Sequence, residues 1–365
     1  MSAEVQPALK EMFNAARFRE IADLLADCQP GFDRKRFIKL TTTGLEPLSL
    51  LQRLRHGTRA LHATLPADYP AALIVLRKLA PRIEHNFVGL LLPDFVGLYG
   101  HADFDESLAA LHYFTRFSSG EFAIREFLKR DLKRTLAVMH KWSKDSNEHV
   151  RRLASEGSRP RLPWSFRLDA LIADPSPALP ILENLKSDPS LYVRKSVANH
   201  LNDISKDHSE WLFASIAPWP RDNHHTVWII KRALRTLIKR GDRRAFAVVG
   251  ASDRPRLELT GLKISPRSVA SGGAIKFSFT LKSKTKTAQR LIVDYVVHYM
   301  KSSGKTAPKV FKLKELNLAG GHQVAFQKAH RLQELTTRRH YPGRHKLEIM
   351  VNGTVVGSAS FVLTS

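Results

Sequence analysis

Cysteine is nearly absent from this chain, which has a single one, Cys28, among 365 residues. One thiol cannot close an internal disulfide, so the fold does not depend on an oxidising compartment. Long apolar runs are missing too, since the most apolar stretch, residues 87–99, contains Pro93 and Asp94 and is too short to cross a bilayer. The N-terminus lacks the charged lead and apolar run of an export signal. These absences predict a cytoplasmic protein without a membrane-spanning segment.

Several sequence signatures of enzymes are missing as well. The chain has no glycine-rich phosphate loop, no HExxH, no paired cysteines and no GxSxG, which argues against ATP-dependent and zinc-dependent chemistry. Its 16 histidines are scattered. The adjacent His224 and His225 would point about 100° apart on a helix and could not easily share a metal. We therefore expect neither a metal nor a cofactor.

Acidic residues are scarce relative to basic ones. The chain has 34 Asp and Glu against 58 Lys and Arg, a formal net charge of +24, and this excess favours a polyanionic partner such as nucleic acid or an anionic membrane surface. Residues 255–365 alone carry 19 basic and 5 acidic side chains. A face that serves only solubility would mix both signs, so we favour polyanion binding over a solvated charged face. The residues concerned are Lys282, Lys284, Lys286, Arg338, Arg339 and Arg344.

Two hydrophobic periods divide the chain. Apolar residues recur at helical spacing over about residues 7–249 and alternate afterwards, in about seven short runs separated by turn residues. Such runs are typical of an immunoglobulin-like sandwich, and Asn352 with Gly353 predicts a two-residue hairpin turn between the last two. We predict a multidomain α + β protein, with an all-α HEAT-like-repeat solenoid at 1–252 and an all-β immunoglobulin-like sandwich at 253–365.

Three residues of the helical part recur 43 positions later. A period of about 40–47 residues is typical of HEAT-type helix pairs. In such a pair we expect the aspartate to cap the second helix, the valine to pack into the neighbouring repeat and the arginine to bridge to it. The pattern predicts a curved solenoid with one concave face. The pairs are Asp145 and Asp188, Val150 and Val193, and Arg151 and Arg194.

Two carboxylates stand out by their surroundings. Ser118 and Glu121 have the spacing of a capping box, in which the serine caps a helix and the glutamate reaches back; a functional role for Glu121 is the alternative. Glu156 precedes Gly157, which is expected to end its helix, and a helix C-terminus disfavours an anion by about 0.3 kcal/mol or more. Arg152, one turn earlier, could pair with Glu156, but we favour a functional role for this carboxylate.

A stiff linker follows, Arg159-Pro-Arg161-Leu-Pro-Trp164. Its prolines restrict the backbone, while two guanidinium groups and an indole offer phosphate clamps and an aromatic face at one place. The alternative is a hydrophobic plug, with Trp164 covering the end of a repeat. The two roles are compatible.

Polar residues of the next repeat complete the predicted binding face. Lys195, Asn199 and Asn202 have spacings that place them near the face that carries Glu156 one repeat earlier. We predict that these three residues, together with Arg161, contact a nucleic-acid backbone.

Three strings in this region resemble one known family. Residues 118–128 (SSGEFAIREFL), 149–164 (HVRRLASEGSRPRLPW) and 192–204 (YVRKSVANHLNDI) are similar to AlkC-type DNA glycosylases of the HEAT-like-repeat AlkC/AlkD alkylation-repair superfamily. The similarity spans about residues 7–250. Some members of that superfamily also carry a C-terminal immunoglobulin-like domain, as this chain is predicted to.

The resemblance implies a monofunctional DNA glycosylase of base excision repair. Such an enzyme hydrolyses the N-glycosidic bond of 3-methyladenine and 3-methylcytosine in double-stranded DNA, without flipping the base and without a metal or cofactor. It implies a cytoplasmic monomer that is nucleoid-associated while bound to DNA. It also implies catalytic roles for Glu121, Glu156, Arg152, Arg159 and Trp164.

The implied chemistry suits these residue types. A base alkylated at N3 is already cationic and leaves as a neutral molecule, so no general acid is needed and the positive charge moves onto the sugar. Carboxylates beside the deoxyribose stabilise that charge and orient the attacking water, and an indole face favours it by about 0.5–2 kcal/mol. The competing interpretation is a non-enzymatic HEAT-repeat scaffold that binds nucleic acid or an acidic protein. A scaffold does not need clustered Glu121, Glu156 and Trp164.

Overall fold

The structure is a computed structural model that describes residues 8–85, 87–333 and 339–364. Contacts between residues divide the chain into two units, one ending at Ala233 and the other beginning at Leu234. The sequence prediction puts the domain boundary between residues 252 and 253, where the hydrophobic period changes. The boundary between the two units comes earlier in the chain. The reason is local packing, because a Cβ on Gly353 in the last hairpin turn would lie 2.7 Å from the ring of Phe246, on a helix that precedes the strands.

The regular structure of the first unit is helical. Short 3-10 helices occupy Leu9–Met12, Ala80–Arg82, Val88–Leu90 and Ser176–Ala178. The α-helices are α1 (Ala15–Cys28), α2 (Arg34–Thr42), α3 (Leu50–Thr64), α4 (Tyr69–Leu79), α5 (Leu91–Tyr99), α6 (Phe104–Phe114), α7 (Ala123–Arg130), α8 (Leu132–Trp142), α9 (Glu148–Gly157), α10 (Asp169–Ala173), α11 (Leu179–Leu185), α12 (Leu191–Ile204), α13 (Ser209–Ile216) and α14 (His224–Ala233).

Helix α12 shows why these segments are helical and how they pack. Val193, Val197, Leu201 and Ile204 recur at helical spacing and are buried, which makes one apolar stripe along the helix. Through this stripe and its flanks, α12 packs on both α9 and α14. Other residues of α9 and α12, among them Arg152 and Tyr192, belong to the site described below.

The arginine of the repeat bridges neighbouring helix pairs, as predicted. Arg151 donates from Nε to Oδ2 of Asp188 at 2.7 Å and from Nη2 to Oδ1 at 3.2 Å. Its valine neighbour, Val150, is fully buried. The bidentate pair therefore fixes the start of α12 relative to α9.

The predicted capping role of the aspartate is wrong. Asn147 is the N-cap of α9, and its side chain accepts from the His149 N–H at 2.9 Å. Asp145 stands two residues before the cap and accepts from the Asn147 N–H at 2.7 Å. The aspartate therefore shapes the turn that leads into the helix, a common use of this side chain in loops.

The second unit begins with two short helices and continues as strands. The helices are α15 (Arg235–Arg240) and α16 (Arg243–Val248). The strands are β1 (Leu257–Ser265), β2 (Ser268–Ala270), β3 (Ala274–Ser283), β4 (Gln289–Met300), β5 (Thr306–Leu318), β6 (Gln323–Arg331), β7 (Gly343–Val351) and β8 (Thr354–Thr364).

These strands form two sheets, with the orders β1-β3-β6 and β2-β8-β7-β4-β5. All pairs are antiparallel except β2 with β8. Alternate residues of β3, such as Phe277 and Phe279, enter the core between the sheets, where they meet Tyr295 and Phe361. The sheets confirm the predicted sandwich, with eight strands in the described residues instead of about seven.

The predicted hairpin turn is confirmed. Val351 pairs with Thr354, so two residues connect the last two strands. Asn352 has φ +45° and Gly353 has φ +79°, the left-handed conformation that both positions of such a turn require.

Candidate active site

Glu121 stands just before α7 and does not belong to a capping box. The helix begins at Ala123, and its N-cap residue, Phe122, makes no side-chain capping bond. The Glu121 carboxylate instead accepts from the Ser119 hydroxyl, with Oε2 2.9 Å from Oγ, and forms an ion pair with Arg152. The capping alternative is therefore wrong, because the helix starts after both residues of the motif.

Arg152 on α9 joins three groups from different parts of the chain. Its Nη1 donates to Ser119 Oγ at 2.9 Å, and its Nη2 lies 3.6 Å from Oε1 of Glu156. Its guanidinium lies over the ring of Tyr192, 5.0 Å from the centroid. Burial by itself would lower the pKa of Arg152, but the Glu121 and Glu156 charges outweigh it and raise the pKa.

Glu156 lies deeper than Glu121 and is only 6% exposed. Its Oε1 accepts from Nη1 of Arg159 at 2.6 Å, and Arg159 Nε donates in turn to Oδ2 of Asp203 at 2.8 Å. Burial alone would raise the pKa of Glu156, but the charges of Arg152 and Arg159 outweigh this effect. The pKa therefore lies below its usual value, and the carboxylate is ionised at neutral pH.

The charged groups alternate in sign from Glu121, through the buried Glu156, Arg159 and Asp203, to the exposed Lys206. Each contacts the next, which satisfies the buried charges in the way that makes burial tolerable. We call this row the charge ladder. It consists of Glu121, Arg152, Glu156, Arg159, Asp203 and Lys206, the last with Nζ 3.0 Å from Oδ1 of Asp203.

An open cleft of about 520 Å³ adjoins the Glu121 end of the ladder, a size within the usual range of small-molecule sites. Trp164 is 60% exposed and has φ +63°, an uncommon backbone conformation for a bulky residue. Tyr192 also lines the cleft, with its ring edge-to-face against His149, 5.5 Å between centroids. The lining residues used below are Glu121, Arg152, Trp164, Tyr192, His149 and Ser119.

The structure thus brings the predicted catalytic residues together but at different depths. Glu121, Arg152 and Trp164 reach the cleft, whereas Glu156 and Arg159 are buried and do not line it. A carboxylate and two aromatic faces around one open space can stabilise a cation. Glu156 contacts a residue of the cleft, Arg152, and Arg159 in turn contacts Glu156.

Sequence reasoning missed three members of the site. Tyr192 had a detectable signal, because it stands one 43-residue repeat after His149, the ring that it contacts. Ser119 was hidden behind the apparent capping box. Asp203 gave no signal, since its partner Arg159 is 44 positions away and in a different repeat.

The predicted backbone-binding residues of the first unit differ in exposure. Lys195 is exposed and Asn199 is half-buried. Arg161 is accessible and holds Asp207 through two nitrogens at 2.9–3.1 Å. Asn202, by contrast, is only 3% exposed, so a phosphate group at the surface does not reach it.

In the second unit the predicted basic residues that the structure describes are exposed. Lys284 pairs with Glu258, and Arg339 lies 6.0 Å from the ring of Tyr341. Lys282, Lys286 and Arg344 are exposed as well. Arg338 lies outside the described residues.

Residues 8–85, 87–333 and 339–364 contain neither a membrane-spanning helix nor a cluster of metal-ligating side chains. No helix there is both long and apolar enough to cross a membrane. No group of three or more His, Cys, Asp or Glu side chains is arranged there to hold a metal ion.

Comparison with known proteins identifies relatives over nearly the whole chain. Residues 106–237 match the family described as DNA alkylation repair enzyme, and residues 258–365 match the C-terminal Ig-like domain of the uncharacterised protein YhaZ. The chain is 42% identical over 356 residues to the uncharacterised protein YhaZ of Bacillus subtilis (strain 168), covering 97% of this chain and 98% of that one.

A solved structure is more similar still. It is the Pseudomonas fluorescens alkylpurine DNA glycosylase AlkC, bound to DNA containing an abasic site analogue. That protein is 51% identical, and the match covers 98% of this chain and 100% of that chain with a TM-score of 0.96. At this identity and coverage, the helical unit and the sandwich both have counterparts in it.

Proposed function

This chain belongs to the AlkC family of DNA alkylation repair enzymes, and from that premise we propose that it is a monofunctional DNA glycosylase of base excision repair. Its substrates are the cationic bases 3-methyladenine and 3-methylcytosine in double-stranded DNA. It hydrolyses the N-glycosidic bond while the base stays in the duplex. The proposal places the chain as a monomer in the cytoplasm, associated with the nucleoid when it is bound to DNA.

One observation carries the proposal: Glu121 and Trp164 line the same open cleft. A carboxylate beside the deoxyribose stabilises positive charge at the anomeric carbon, and an indole face adds to this stabilisation. Tyr192 supplies a second aromatic face to the same space. An open cleft accepts the edge of a duplex, whereas a flipped base needs an enclosed pocket.

The reaction needs no acid from the protein. The alkylated base carries a positive charge that the bond electrons neutralise as the bond breaks, so the base leaves as a neutral molecule and the sugar becomes the cation. Glu121 accepts a proton from the attacking water as the new C–O bond forms. The products are the free base and an abasic site.

Glu156 acts on this chemistry through Arg152. The buried Glu156 lies 3.6 Å from the Arg152 guanidinium, which in turn pairs with Glu121. Glu156 therefore holds Arg152 in place, and its negative charge compensates the positive charge of the largely buried Arg152. Arg159 and Asp203 extend the same support inward.

Backbone contacts supply the affinity for the duplex. In the first unit the proposal assigns them to Arg161, Lys195 and Asn199, and it leaves out the buried Asn202. In the sandwich it assigns them to the exposed basic residues, namely Lys282, Lys284, Lys286, Arg339 and Arg344. Such contacts position the enzyme and carry no sequence information.

The proposal is tested by single-turnover release of 3-methyladenine and 3-methylcytosine from alkylated duplex DNA in the presence of a chelator. Glu121→Gln should lower the rate by about 10²–10⁴-fold and bind an abasic-site duplex as the wild type does. Glu20→Gln is the control, because Glu20 on α1 is exposed, pairs with Arg17 and does not line the cleft. It should retain nearly full activity.

Two outcomes would contradict the proposal. If the wild type binds DNA but releases neither base, the scaffold interpretation is favoured instead. If borohydride traps a covalent adduct between enzyme and DNA, the reaction proceeds through an amine and not through direct hydrolysis.

A further inference from the structure

Arg125 is a buried cation that the proposed reaction does not use. It lies on α7, four residues after Glu121, and is 0% exposed. Its Nη1 donates to the Gly157 carbonyl at 3.0 Å and to the Arg159 carbonyl at 2.6 Å, and its Nη2 donates to the Phe166 carbonyl at 2.5 Å. All three acceptors belong to the end of α9 or to the segment that follows it.

We propose that Arg125 is a positioning residue of the active site, which fixes the loop that carries Trp164 and Arg159; its effect on catalysis rests on the proposed function. The loop, residues 158–168, runs from the end of α9 to the start of α10. Arg125 holds it at two points, one on each side of Trp164. It also holds the last residue of α9.

The side chains of Arg159 and Arg161 anchor the loop to Asp203 and Asp207, but few hydrogen bonds fix its backbone. It contains neither helix nor strand, and two of its residues are prolines, which have no N–H to donate. Its backbone hydrogen bonds run from Arg159 to Glu156 at 3.3 Å, from Ser165 to Leu162 at 3.4 Å and from Leu168 to Pro160 at 3.1 Å. Three charge-assisted bonds from one rigid guanidinium therefore form a large part of what holds the loop backbone.

The conformation of Trp164 requires such a hold. A bulky residue at φ +63° is strained, and strained residues persist only where the surrounding structure determines their conformation. The Phe166 ring lies over the Arg125 guanidinium, 5.4 Å from the centroid, and its carbonyl accepts from the same group. Arg125 thus binds both the backbone and the side chain two residues after Trp164.

Arg125 also accounts for the position of Glu156 at a helix end. The carbonyls at the C-terminus of α9 carry partial negative charge, and the buried Arg125 cation offsets it. Helix α7 approaches this end closely, because a Cβ on Gly157 would lie 2.4 Å from Cγ2 of Ile124. Because Gly157 has no side chain, α7 can approach closely enough for the Arg125 guanidinium to reach the carbonyls of Gly157 and Arg159.

The chain offers a matched control for a purely structural role. Arg53 on α3 is also 0% exposed and also donates to backbone carbonyls, among them those of Leu48 at 3.2 Å and Phe13 at 3.3 Å. Its acceptors belong to the N-terminal segments and to none of the site residues. Replacing either arginine leaves buried carbonyls unsatisfied, but only one replacement frees the 158–168 loop.

The test compares Arg125→Met, Arg125→Lys and Arg53→Met in the full chain. Hydrogen exchange without DNA should speed up at least about tenfold at the Arg159, Ser165 and Leu168 amides in Arg125→Met and not in Arg53→Met. The single-turnover rate of base release should fall about 10–100-fold in Arg125→Met while the DNA concentration at half-maximal rate stays within about threefold of the wild-type value. Arg125→Lys should change the loop exchange and the rate of base release less than Arg125→Met does, because lysine keeps the positive charge but lacks the planar guanidinium.

Each other outcome counts against the inference. Unchanged loop exchange in Arg125→Met, or equal effects of Arg53→Met on the loop and the rate, would make Arg125 a structural residue only. If Arg125→Met does not fold, Arg125→Lys carries the comparison, and wild-type exchange and rate in that variant would overturn the proposal. If the wild type releases no base, the proposed function fails, while the exchange measurement still decides whether Arg125 fixes the loop.

Discussion

At the scale of single residues, Trp164 combines exposure with a strained backbone. A residue whose ring is 60% exposed gains little from packing, so packing does not explain why a tryptophan occupies a position at φ +63°. Left-handed backbone costs an L-residue about 1–2 kcal/mol. We therefore infer that the Trp164 ring has a functional role that outweighs this cost. The cleft that Trp164 and Glu121 both line is the place for that role.

We expect Trp164→Gly to be more stable than Trp164→Ala by about 1 kcal/mol, because only glycine adopts positive φ without steric cost. Both variants lack the indole, so the difference between them reports the backbone alone. Urea unfolding measures it, and both should lose base release to a similar extent. An alanine variant as stable as the glycine variant would contradict the left-handed conformation.

At the scale of helices, the contact between α9 and α12 is built partly from polar groups. His200 on α12 is 0% exposed, and its Nδ1 donates to the Ser155 carbonyl on α9 at 3.0 Å. Burial, with the nearby Arg159 charge, lowers the pKa of His200 to about 4. The ring is therefore neutral in the folded protein at pH values where it is protonated in the unfolded chain.

Acid should weaken the contact between α9 and α12. Because the folded pKa lies below the unfolded value of about 6.5, His200 stabilises the fold fully above pH 6.5, and up to about 3 kcal/mol is lost as the pH falls towards 4. We expect His200→Gln, which keeps a donor for Ser155, to lose less stability between pH 7 and pH 4.5 than the wild type. Thermal unfolding at several pH values measures this.

The effect of the substitution itself on the free energy of unfolding is measured at pH 8, where His200 is neutral in both the folded and the unfolded protein. Parallel pH dependences of the wild type and His200→Gln over the whole range would show that His200 does not titrate as proposed.

At the scale of the whole molecule, the excess of basic residues is unevenly distributed. The sandwich part carries a larger excess of basic over acidic side chains than the longer helical part, and its described basic residues named above are exposed. Each phosphate that a protein neutralises releases counterions, so the contribution of a cation to DNA binding is measured by salt dependence. The sandwich lysines can therefore be tested without removing a domain.

Lys282→Gln combined with Lys286→Gln should make the plot of log affinity against log salt less steep, by about 0.9 for each B-DNA phosphate that the variant no longer neutralises. The control is Lys35→Gln with Lys39→Gln on α2, which removes two exposed charges outside the proposed DNA-binding residues. That control should leave the slope nearly unchanged. Equal slopes for the wild type and the sandwich variant would refute phosphate binding by these lysines.

Much of the fold follows from local pattern. The change from helical to alternating spacing predicts helices and then strands, because burying one face of each element requires that spacing. Asn352 and Gly353 predict their turn for an equally local reason, since both adopt positive φ readily. The 43-residue repeat predicts the Arg151 to Asp188 bridge, because equivalent residues of successive repeats lie side by side.

The order of the two folds, the excess of positive charge and five residues of the site follow from the sequence, whereas Ser119, Tyr192 and Asp203 do not. Helix packing sets the depth and the partners of these residues: Glu121 faces the cleft, Glu156 is buried behind Arg152, and Arg125 holds the loop that follows α9. The physical reason is distance along the chain. Contacts within one helix, such as Arg152 with Glu156, follow from spacing, but the bonds from Arg152 to Ser119, from Arg125 to Gly157 and from Arg159 to Asp203 connect residues more than 30 positions apart. Those bonds form only when helices from different parts of the chain pack together.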